Sequence, residues 1–310
     1  MSGNSRLYHI ERKVLFIMHK TDWLYHAKWG VFTHYLFHGD DWNEKIQSFD
    51  TERLAKSLSD IGAGYYFITI MQRKKYMLAP NETYDRITGY KPGQACPTRD
   101  LIADLSDSLS KYKIPLCLYY TGDGPLDDAV AGGAMGYTSL QDRSYPGSVS
   151  TEFVRRWASV LEEYSCRYGD KISAWWVDGC YEHIGYDEEK LGILADAIRA
   201  GNPDALVSLN CGVMKRVSAY SRHDDFTTGE MDDFRDLPEN RFVGGAQWHT
   251  LTHLGTSWGG RDAQIDGPTL AEYVHKVNDR GGVVTIDIGI YPDGSLVPEQ
   301  LERLSCINKK

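Results

Sequence analysis

The alternation of apolar and polar stretches along the chain is its clearest structural signal. Short runs rich in β-branched and aromatic residues recur, and each leads into a polar stretch and often into a segment with helical periodicity. Such runs are typical of buried strands. The predicted strands cover residues 29–35, 65–70, 115–121, 173–178, 205–210, 225–228, 242–248 and 283–288.

Helix start signals separate several of these strands. Asp50, Thr98, Ser150 and Asp187 each stand just before an apolar series with helical period, where an N-cap residue belongs, and Pro268 opens another such series. Strands that alternate with helices indicate parallel βαβ units, and eight of them in one chain of this length fit a closed barrel better than two open sheets. We therefore predict one α/β domain over residues 1–310, a single (β/α)8 barrel of TIM type.

The barrel is expected to be irregular in one region. The connections after strands five and six, residues 211–224 and 229–241, are too short and polar for full helices. Two long segments, 71–97 and 122–149, follow strands two and three, on the side where such barrels keep their active sites.

Charge and composition argue against some classes of binding partner. A net charge of -9, with no long Lys/Arg run, argues against nucleic acid as a partner. No stretch approaches 18 apolar residues, so we expect no membrane span, and we find no signal peptide, which leaves the native compartment open. Aromatic residues make up 12% of the chain, which suits a cleft that stacks the flat faces of sugars as well as ordinary core packing.

Polar residues at the carboxyl ends of barrel strands should converge on one site. The candidates are His34, Tyr119, Tyr120, Asp178, Asn210, Glu230, Trp248 and Asp287. Asp178 closes a run of buried residues, which is costly for an acid unless it is paired or used, although a turn or capping role is the alternative. Glu230 follows Gly229 at the end of another strand, and its alternative is a solvated loop acid. Two carboxylates across a small cleft are what glycosidic cleavage requires.

No metal or cofactor site is expected. His34 and His38 are spaced for a helical face, but they stand on a strand that runs into a loop, so they should not share a metal ion. Neither a dinucleotide-binding glycine motif in its strand–helix context nor a phosphate-binding loop occurs.

Seven blocks of the sequence, in order, resemble the α-L-fucosidases of glycoside hydrolase family 29. Residues 29–34 (WGVFTH) are similar to that family's first strand, F-G-x-F-x-H-W-G, and residues 175–179 (WWVDG) to its nucleophile strand, W-F-D-G. Residues 225–230 (DFTTGE) are similar to D-F-x-T-P-E. The other similar blocks are 98–101 (TRDL), 118–121 (LYYT), 256–259 (TSWG) and 281–294, which ends in YPDG.

The resemblance implies roles for particular residues. It implies Asp178 as the nucleophile and Glu230 as the acid/base, with His34, Trp42, Tyr120 and Trp176 lining the sugar pocket. We add Trp248, at a predicted strand end, and Trp258, in the TSWG block, as substrate-binding residues.

The chain departs from the family at the positions that recognise the sugar. The family's H-H-D-G-F after strand two is replaced by residues 72–76 (QRKKY), its strand-five Arg is missing near Asn210, and the Asn of its last strand is Asp287. Arg73 therefore stands where a sugar-contacting His is expected; it could contact substrate or be a solvated surface residue. A guanidinium fits carboxylates or sulfates and also donates to paired hydroxyls. The chain stops at Lys310, so we expect no C-terminal β-sandwich domain.

Together these patterns predict a retaining, exo-acting, metal-independent glycoside hydrolase that cleaves a terminal α-L-fucosyl or related sugar from an oligosaccharide or glycan. A glycosidase for another α-L-configured, acidic or sulfated sugar is the alternative within this class. From a different class, the chain could be a carbohydrate-binding pseudoenzyme, or a lyase that uses the Arg/Lys cluster. The oligomeric state is left open.

Overall fold

The computed structural model describes residues 19–137 and 149–309, and a curved parallel sheet lies at its centre. Seven strands pair in the order β5-β4-β3-β2-β1-β9-β8, all parallel. The strands of the chain are β1 (Trp29–Thr33), β2 (Tyr66–Thr69), β3 (Leu116–Thr121), β4 (Ile172–Asp178), β5 (Leu206–Leu209), β6 (Phe242–Val243), β7 (Ala246–Gln247), β8 (His249–His253) and β9 (Val283–Ile288). The predicted barrel fold is confirmed.

Helices surround the sheet. They are α1 (Asp22–Ala27), α2 (Trp42–Ser48), α3 (Thr51–Asp60), α4 (Glu82–Thr88), α5 (Leu101–Ser110), α6 (Ala129–Met135), α7 (Thr151–Tyr168), α8 (Glu188–Gly201), α9 (Gly267–Asp279) and α10 (Pro298–Ser305). None of these helices is both long and apolar enough to cross a membrane, a finding that covers the described ranges only.

Residues 225–231 close the ring between β5 and β8. On one side, Asp225 N–H donates to the Val207 carbonyl at 2.8 Å. On the other, Phe226 and Glu230 form parallel bridges with Gln247 and Leu251. The predicted sixth strand, 225–228, is thus present as a bridged segment rather than as a continuous strand. No helix lies within residues 211–224 or 231–241, so the predicted irregularity is confirmed.

The predicted seventh strand, 242–248, is wrong. Residues 242–247 form an antiparallel hairpin of β6 and β7, and the barrel strand β8 begins only at His249. Gly244 and Gly245 both adopt positive φ, 57° and 92°, as a tight two-residue hairpin turn requires. This pair of glycines therefore divides the apolar run into a hairpin and a later strand.

The helix caps agree with the sequence in most places. The side chains of Asp50, Ser150 and Asp187 accept backbone N–H bonds at the starts of α3, α7 and α8, as predicted. For α5 the prediction was wrong by two residues, because Asp100 rather than Thr98 accepts the N–H of Ala103. Pro268 lies in the first turn of α9, as predicted.

Side chains alternate between the inside and the outside of the ring, as a strand's two-residue period demands. Rings such as Phe32, Phe67, Tyr119 and Trp176 form an interior cluster. The alternate positions pack outward against the helices in a second and larger cluster. Which residues can reach the mouth of the barrel is decided by this alternation.

Candidate active site

A cleft of about 530 Å³, including its solvent-filled mouth, opens at the carboxyl ends of the strands. Phe32, His34, Leu36, Gln72, Tyr119, Trp176, Asp178, Glu230, Leu251 and Trp258 line it. These residues come from four strands (β1, β3, β4 and β8), from the bridged segment and from the adjoining loops, so the closed ring is what brings them together.

Asp178 is the last residue of β4 and is 8% exposed. Its Oδ2 accepts a hydrogen bond from the Tyr119 hydroxyl at 2.6 Å. Its Oδ1 accepts from Asn210 Nδ2 at 2.9 Å and from the Tyr181 hydroxyl at 3.3 Å. Donors to both oxygens compensate the burial of this carboxylate.

Glu230 lies in the bridged segment, residues 225–231, which β5 separates from β4 around the ring. Gly229 before it adopts a φ of 55°, and a Cβ there would collide with the carbonyl oxygen of His249. Only glycine accommodates this turn, which directs Glu230 toward Asp178.

Asn210 links the two carboxyl groups. Its Nδ2 donates to Asp178 Oδ1 at 2.9 Å and to Glu230 Oε2 at 2.7 Å. Because both bonds share one nitrogen, these two oxygens lie at most about 5.6 Å apart, the sum of the bond lengths, which is close to the spacing of a carboxylate pair in a retaining glycosidase.

The environment of Glu230 favours its protonated form. Burial, and next the negative charge of Asp178, raise the pKa of Glu230 to about 7, while the hydrogen bond from Asn210 acts in the opposite direction. The group can therefore hold a proton close to neutral pH, as a general acid must.

His34 is held from behind by a buried acid. Its Nδ1 lies 2.9 Å from Oδ1 of Asp287, whose side chain is fully buried in β9. The other oxygen of Asp287 accepts the N–H of Gly259 at 2.5 Å, which anchors the loop that carries Trp258. Asp287 thus positions an imidazole and an indole at the cleft without lining the cleft itself.

Gln72 occupies the cleft where the family pattern has histidine. Its Nε2 donates to the Tyr119 hydroxyl at 2.8 Å, and that hydroxyl donates to Asp178. A hydrogen-bonded chain therefore runs from the loop after β2 to the carboxylate of β4.

The structure brings five of the nine predicted site residues to this cleft and places four elsewhere. Those in the cleft are His34, Trp176, Asp178, Glu230 and Trp258. Tyr120 points outward and stacks on Trp157 with ring centroids 4.7 Å apart, so its neighbour Tyr119 takes the expected place, stacked on Trp176 at 5.4 Å. The prediction that Tyr120 lines the sugar pocket is therefore wrong, because adjacent residues of a strand point to opposite faces of the sheet.

The other three lie outside the cleft. Trp248 precedes β8 and packs in the outer core, because the barrel strand starts later than predicted. Trp42 donates its indole N–H to the Met77 carbonyl and lines a separate cavity with Lys75, Tyr76 and Tyr90. Arg73 forms a two-pronged ion pair with Asp127, at 2.9 and 2.6 Å, and its contact with substrate stays a prediction.

Sequence reasoning missed Phe32, Leu36, Gln72 and Leu251 as lining residues. Phe32 lies two residues before His34 in the chain, so strand alternation would have placed both on the inner face. Nothing comparable marks Leu251, because its strand was placed wrongly. Across the described residues, no group of three or more His, Cys, Asp or Glu side chains is arranged to hold a metal ion.

A parallel barrel that presents two close carboxyl groups among aromatic rings at its carboxyl end is the arrangement of a glycoside hydrolase. The sequence comparison agrees with this class. The chain belongs to the α-L-fucosidase family, whose pattern it matches over residues 25–309. No curated protein sequence matches the chain.

Solved structures with the same fold include endo-fucoidan hydrolases and α-L-fucosidases by their descriptions. The endo-fucoidan hydrolase MfFcnA4 of glycoside hydrolase family 107 is 16% identical with a TM-score of 0.70; the match covers 93% of this chain and 53% of that one, so this chain spans about half of its length. A family 29 α-L-fucosidase from Bacteroides thetaiotaomicron, trapped as a covalent intermediate, is 16% identical with a TM-score of 0.67 and coverages of 93% and 73%. The α-L-fucosidase AlfC from Lactobacillus casei, in complex with α-L-fucose, is 18% identical with a TM-score of 0.62 and coverages of 93% and 96%.

Proposed function

We propose that this glycoside hydrolase removes a terminal α-L-fucosyl unit, or a closely related 6-deoxy sugar, from a glycan with retention of configuration. Asp178 is the nucleophile and Glu230 is the acid/base. The spacing that Asn210 imposes on the two carboxyl groups carries this proposal.

The distance between the two carboxyl groups differs between retaining and inverting glycosidases. Retaining enzymes keep their carboxyl groups about 5–5.5 Å apart so that one can bond to the anomeric carbon, whereas inverting enzymes leave about 6.5–9.5 Å for a water molecule. An upper limit of about 5.6 Å between Asp178 Oδ1 and Glu230 Oε2 supports retention and leaves little room for an interposed water.

The reaction then proceeds in two displacements. An oxygen of Asp178 attacks the anomeric carbon while Glu230 gives its proton to the leaving oxygen, so the glycosidic bond breaks and a glycosyl ester forms. Glu230, now ionised, takes a proton from water as that water attacks the same carbon, and Asp178 leaves as the carboxylate. Both carboxyl groups return to their starting states.

The lining of the cleft favours an uncharged sugar with an apolar substituent. Phe32, Leu36, Trp176, Leu251 and Trp258 present apolar surface, which a methyl group could contact. None of the described residues that line the cleft is Lys or Arg. An acidic or sulfated sugar is therefore less well supported than a neutral one, and so is a lyase that would need the Arg/Lys cluster in the cleft.

The test begins with the product. Wild-type protein is incubated with an aryl α-L-fucoside, and the anomer released first is followed by ¹H NMR before mutarotation. We expect the α anomer of the free monosaccharide. A β anomer would exclude retention, and no turnover of any aryl glycoside together with measurable sugar binding would indicate a pseudoenzyme.

The same protein is then given a fucose-containing oligosaccharide labelled at its reducing end. Release of single sugars from the other end supports exo action. Larger fragments at early times would show endo cleavage instead.

A further inference from the structure

Asn210 uses every polar atom of its side chain in the site. The residue is fully buried directly after β5, and its two Nδ2 hydrogens go to Asp178 and Glu230. Its Oδ1 accepts the N–H of Gly212 at 3.2 Å. Because that contact needs an oxygen and the carboxylate contacts need a donor, the orientation of the amide follows from its three partners.

The main chain of Asn210 is equally well anchored. Its N–H donates to the Val177 carbonyl at 2.7 Å, and its carbonyl accepts the N–H of Cys180 at 2.9 Å. These partners flank Asp178 in the chain on both sides. The side chain of Asn210 is therefore held at a constant position relative to Asp178, and Glu230 is the partner whose position it determines.

We propose that Asn210 is the positioning residue of this active site: it sets the spacing of Asp178 and Glu230 and restricts the transferable proton of Glu230 to Oε1. The inference rests on the proposed roles of the two carboxyl groups. It gives a role to a residue that the sequence pattern named only as one of several candidates at strand ends, near the place where the family pattern has Arg.

The location of the proton follows from the donor. An amide nitrogen offers hydrogens and accepts none, so Oε2 of Glu230 accepts the bond from Asn210, and the carbonyl oxygen of a protonated carboxyl group is a better acceptor than its hydroxyl oxygen. When Glu230 is protonated, the hydrogen is therefore on Oε1. Oε1 gives this proton to the leaving oxygen in the first step and receives one from water in the second.

A neutral donor also differs from a cation in its effect on the pair. Asn210 aligns two acids without adding a positive charge, so the repulsion between Asp178 and Glu230 is kept, and the pKa of Glu230 stays raised. The titratable groups that face Glu230 from the surrounding elements are Asp178, His34, Asp232 and Cys211, with His253 beside Asp232.

Two substitutions test the proposal by a readout that does not need catalysis. Asn210→Leu removes both hydrogen bonds at similar volume, and Asn210→Asp keeps the shape but replaces the donor by an acid. The titration of Glu230 is followed by ¹³C NMR of the side-chain carboxyl in glutamate-labelled protein, assigned with Glu230→Gln. We expect the midpoint to move upward by about one pH unit in Asn210→Leu, the effect of losing one charged hydrogen bond, and further in Asn210→Asp.

Ser208→Ala is the matched control. Ser208 lies two residues earlier on β5, is equally buried, and its hydroxyl has no hydrogen-bond partner among the described residues. Ser208→Ala should leave the titration midpoint of Glu230 unchanged. An unchanged midpoint in both Asn210 variants, or an equal movement in Ser208→Ala, overturns the proposal. If Asn210→Leu does not fold by circular dichroism, Asn210→Asp decides.

Kinetics with the aryl α-L-fucoside supply the second readout. The alkaline limb of kcat/KM should move in parallel with the NMR midpoint, and kcat should fall more than KM rises, because the spacing acts on the chemical step. A wild-type protein without glycosidase activity would refute the proposed function, whereas the NMR titration would still decide whether Asn210 controls Glu230.

Discussion

Asp178 and Glu230 differ mainly in the hydrogen-bond donors around them. Three donors from the described residues reach Asp178, namely the side chains of Tyr119, Asn210 and Tyr181, whereas Asn210 is the side chain that donates to Glu230. Donors stabilise an anion, and burial with a negative neighbour stabilises an acid. The same side-chain chemistry is thereby suited to two different roles.

Replacement of each carboxyl group should give a different kinetic result. Asp178→Ala should lower kcat by about 10⁴-fold or more with every substrate, because no glycosyl ester can form. Glu230→Ala should lower kcat/KM by about 10²–10⁴-fold for poor leaving groups and spare activated aryl glycosides, which need no proton. Steady-state rates across a series of phenol leaving groups measure this difference.

Azide provides the control for that pair. In Glu230→Ala it should restore turnover and give a glycosyl azide of the same anomeric configuration as the substrate, since it attacks the glycosyl ester opposite to Asp178. Near-normal activity of Asp178→Ala would contradict the assignment of the nucleophile.

The pH dependence of the reaction should report Glu230. Its pKa is raised to about 7, so the proton needed by the leaving group is present below that value and is lost as the pH rises through it. We expect kcat/KM for a poor leaving group to decline above about pH 7. In Glu230→Ala, measured with an activated substrate, this limb should be absent; its persistence there would assign the limb to another group.

At the scale of single elements, the alternation of β3 decides which tyrosine serves the site. Tyr119 and Tyr120 are adjacent in the chain, yet one reaches Asp178 and the other packs under α7 on Trp157. The loop after β2 is similarly divided, because Gln72 enters the cleft while Arg73, next to it, turns toward Asp127. Arg73 has a φ of 62°, an unfavourable backbone conformation that its contacts with Asp127 help to maintain.

The Arg73–Asp127 pair should act as a tie between the loops after β2 and β3. Both side chains are about 30% exposed, so a double-mutant cycle with Arg73→Ala and Asp127→Ala should give a coupling of only about 1 kcal/mol in the free energy of unfolding. If Arg73 serves only to hold the two loops together, Arg73→Ala and Asp127→Ala should change KM by similar amounts. An increase in KM confined to Arg73→Ala would show direct contact with the substrate.

At the scale of the whole molecule, the ring closes through an irregular segment. Residues 225–231 are held to β5 and β8 by backbone hydrogen bonds and by side chains. Asp225 Oδ2 accepts the Val207 N–H at 2.9 Å, and the Thr227 hydroxyl donates to the His249 carbonyl and accepts the His249 N–H, at 2.7 and 2.8 Å. Because Glu230 lies in this segment, the same contacts that close the barrel also bring Glu230 to Asp178.

Thr227→Val should therefore destabilise the protein although it preserves side-chain shape. It leaves a buried N–H and carbonyl of His249 without that partner, at a cost of about 1–3 kcal/mol in the free energy of unfolding, measured by denaturant titration. Thr228→Val is the control, since the Thr228 hydroxyl is buried and has no partner in the described part of the chain. Equal losses of unfolding free energy in the two variants would show that the Thr227 hydroxyl bonds do not hold residues 225–231 against β8.

The sequence by itself determined the features that depend on local patterns. Apolar runs predicted the strands other than β6, β7 and β8, and start signals predicted where α3, α7, α8 and α9 begin, because periodicity and capping act over a few residues. The acid that ends β4 was recognisable because it closes an apolar run, and Glu230 because it follows Gly229 at the end of a predicted strand. Membership in the α-L-fucosidase family followed from the order of such blocks.

Tertiary structure alone decided how these parts meet. The glycine pair of β6 and β7 moved the start of β8, and with it Trp248, because a turn changes the direction of everything after it. The hydrogen bond of Tyr119 to Asp178, the pairing of Arg73 with Asp127 and the bridging amide of Asn210 depend on partners distant in the chain. Hydrogen bonds and ion pairs of this kind form only between groups that the closed ring brings within about 3 Å, and no pattern of neighbouring residues encodes that distance.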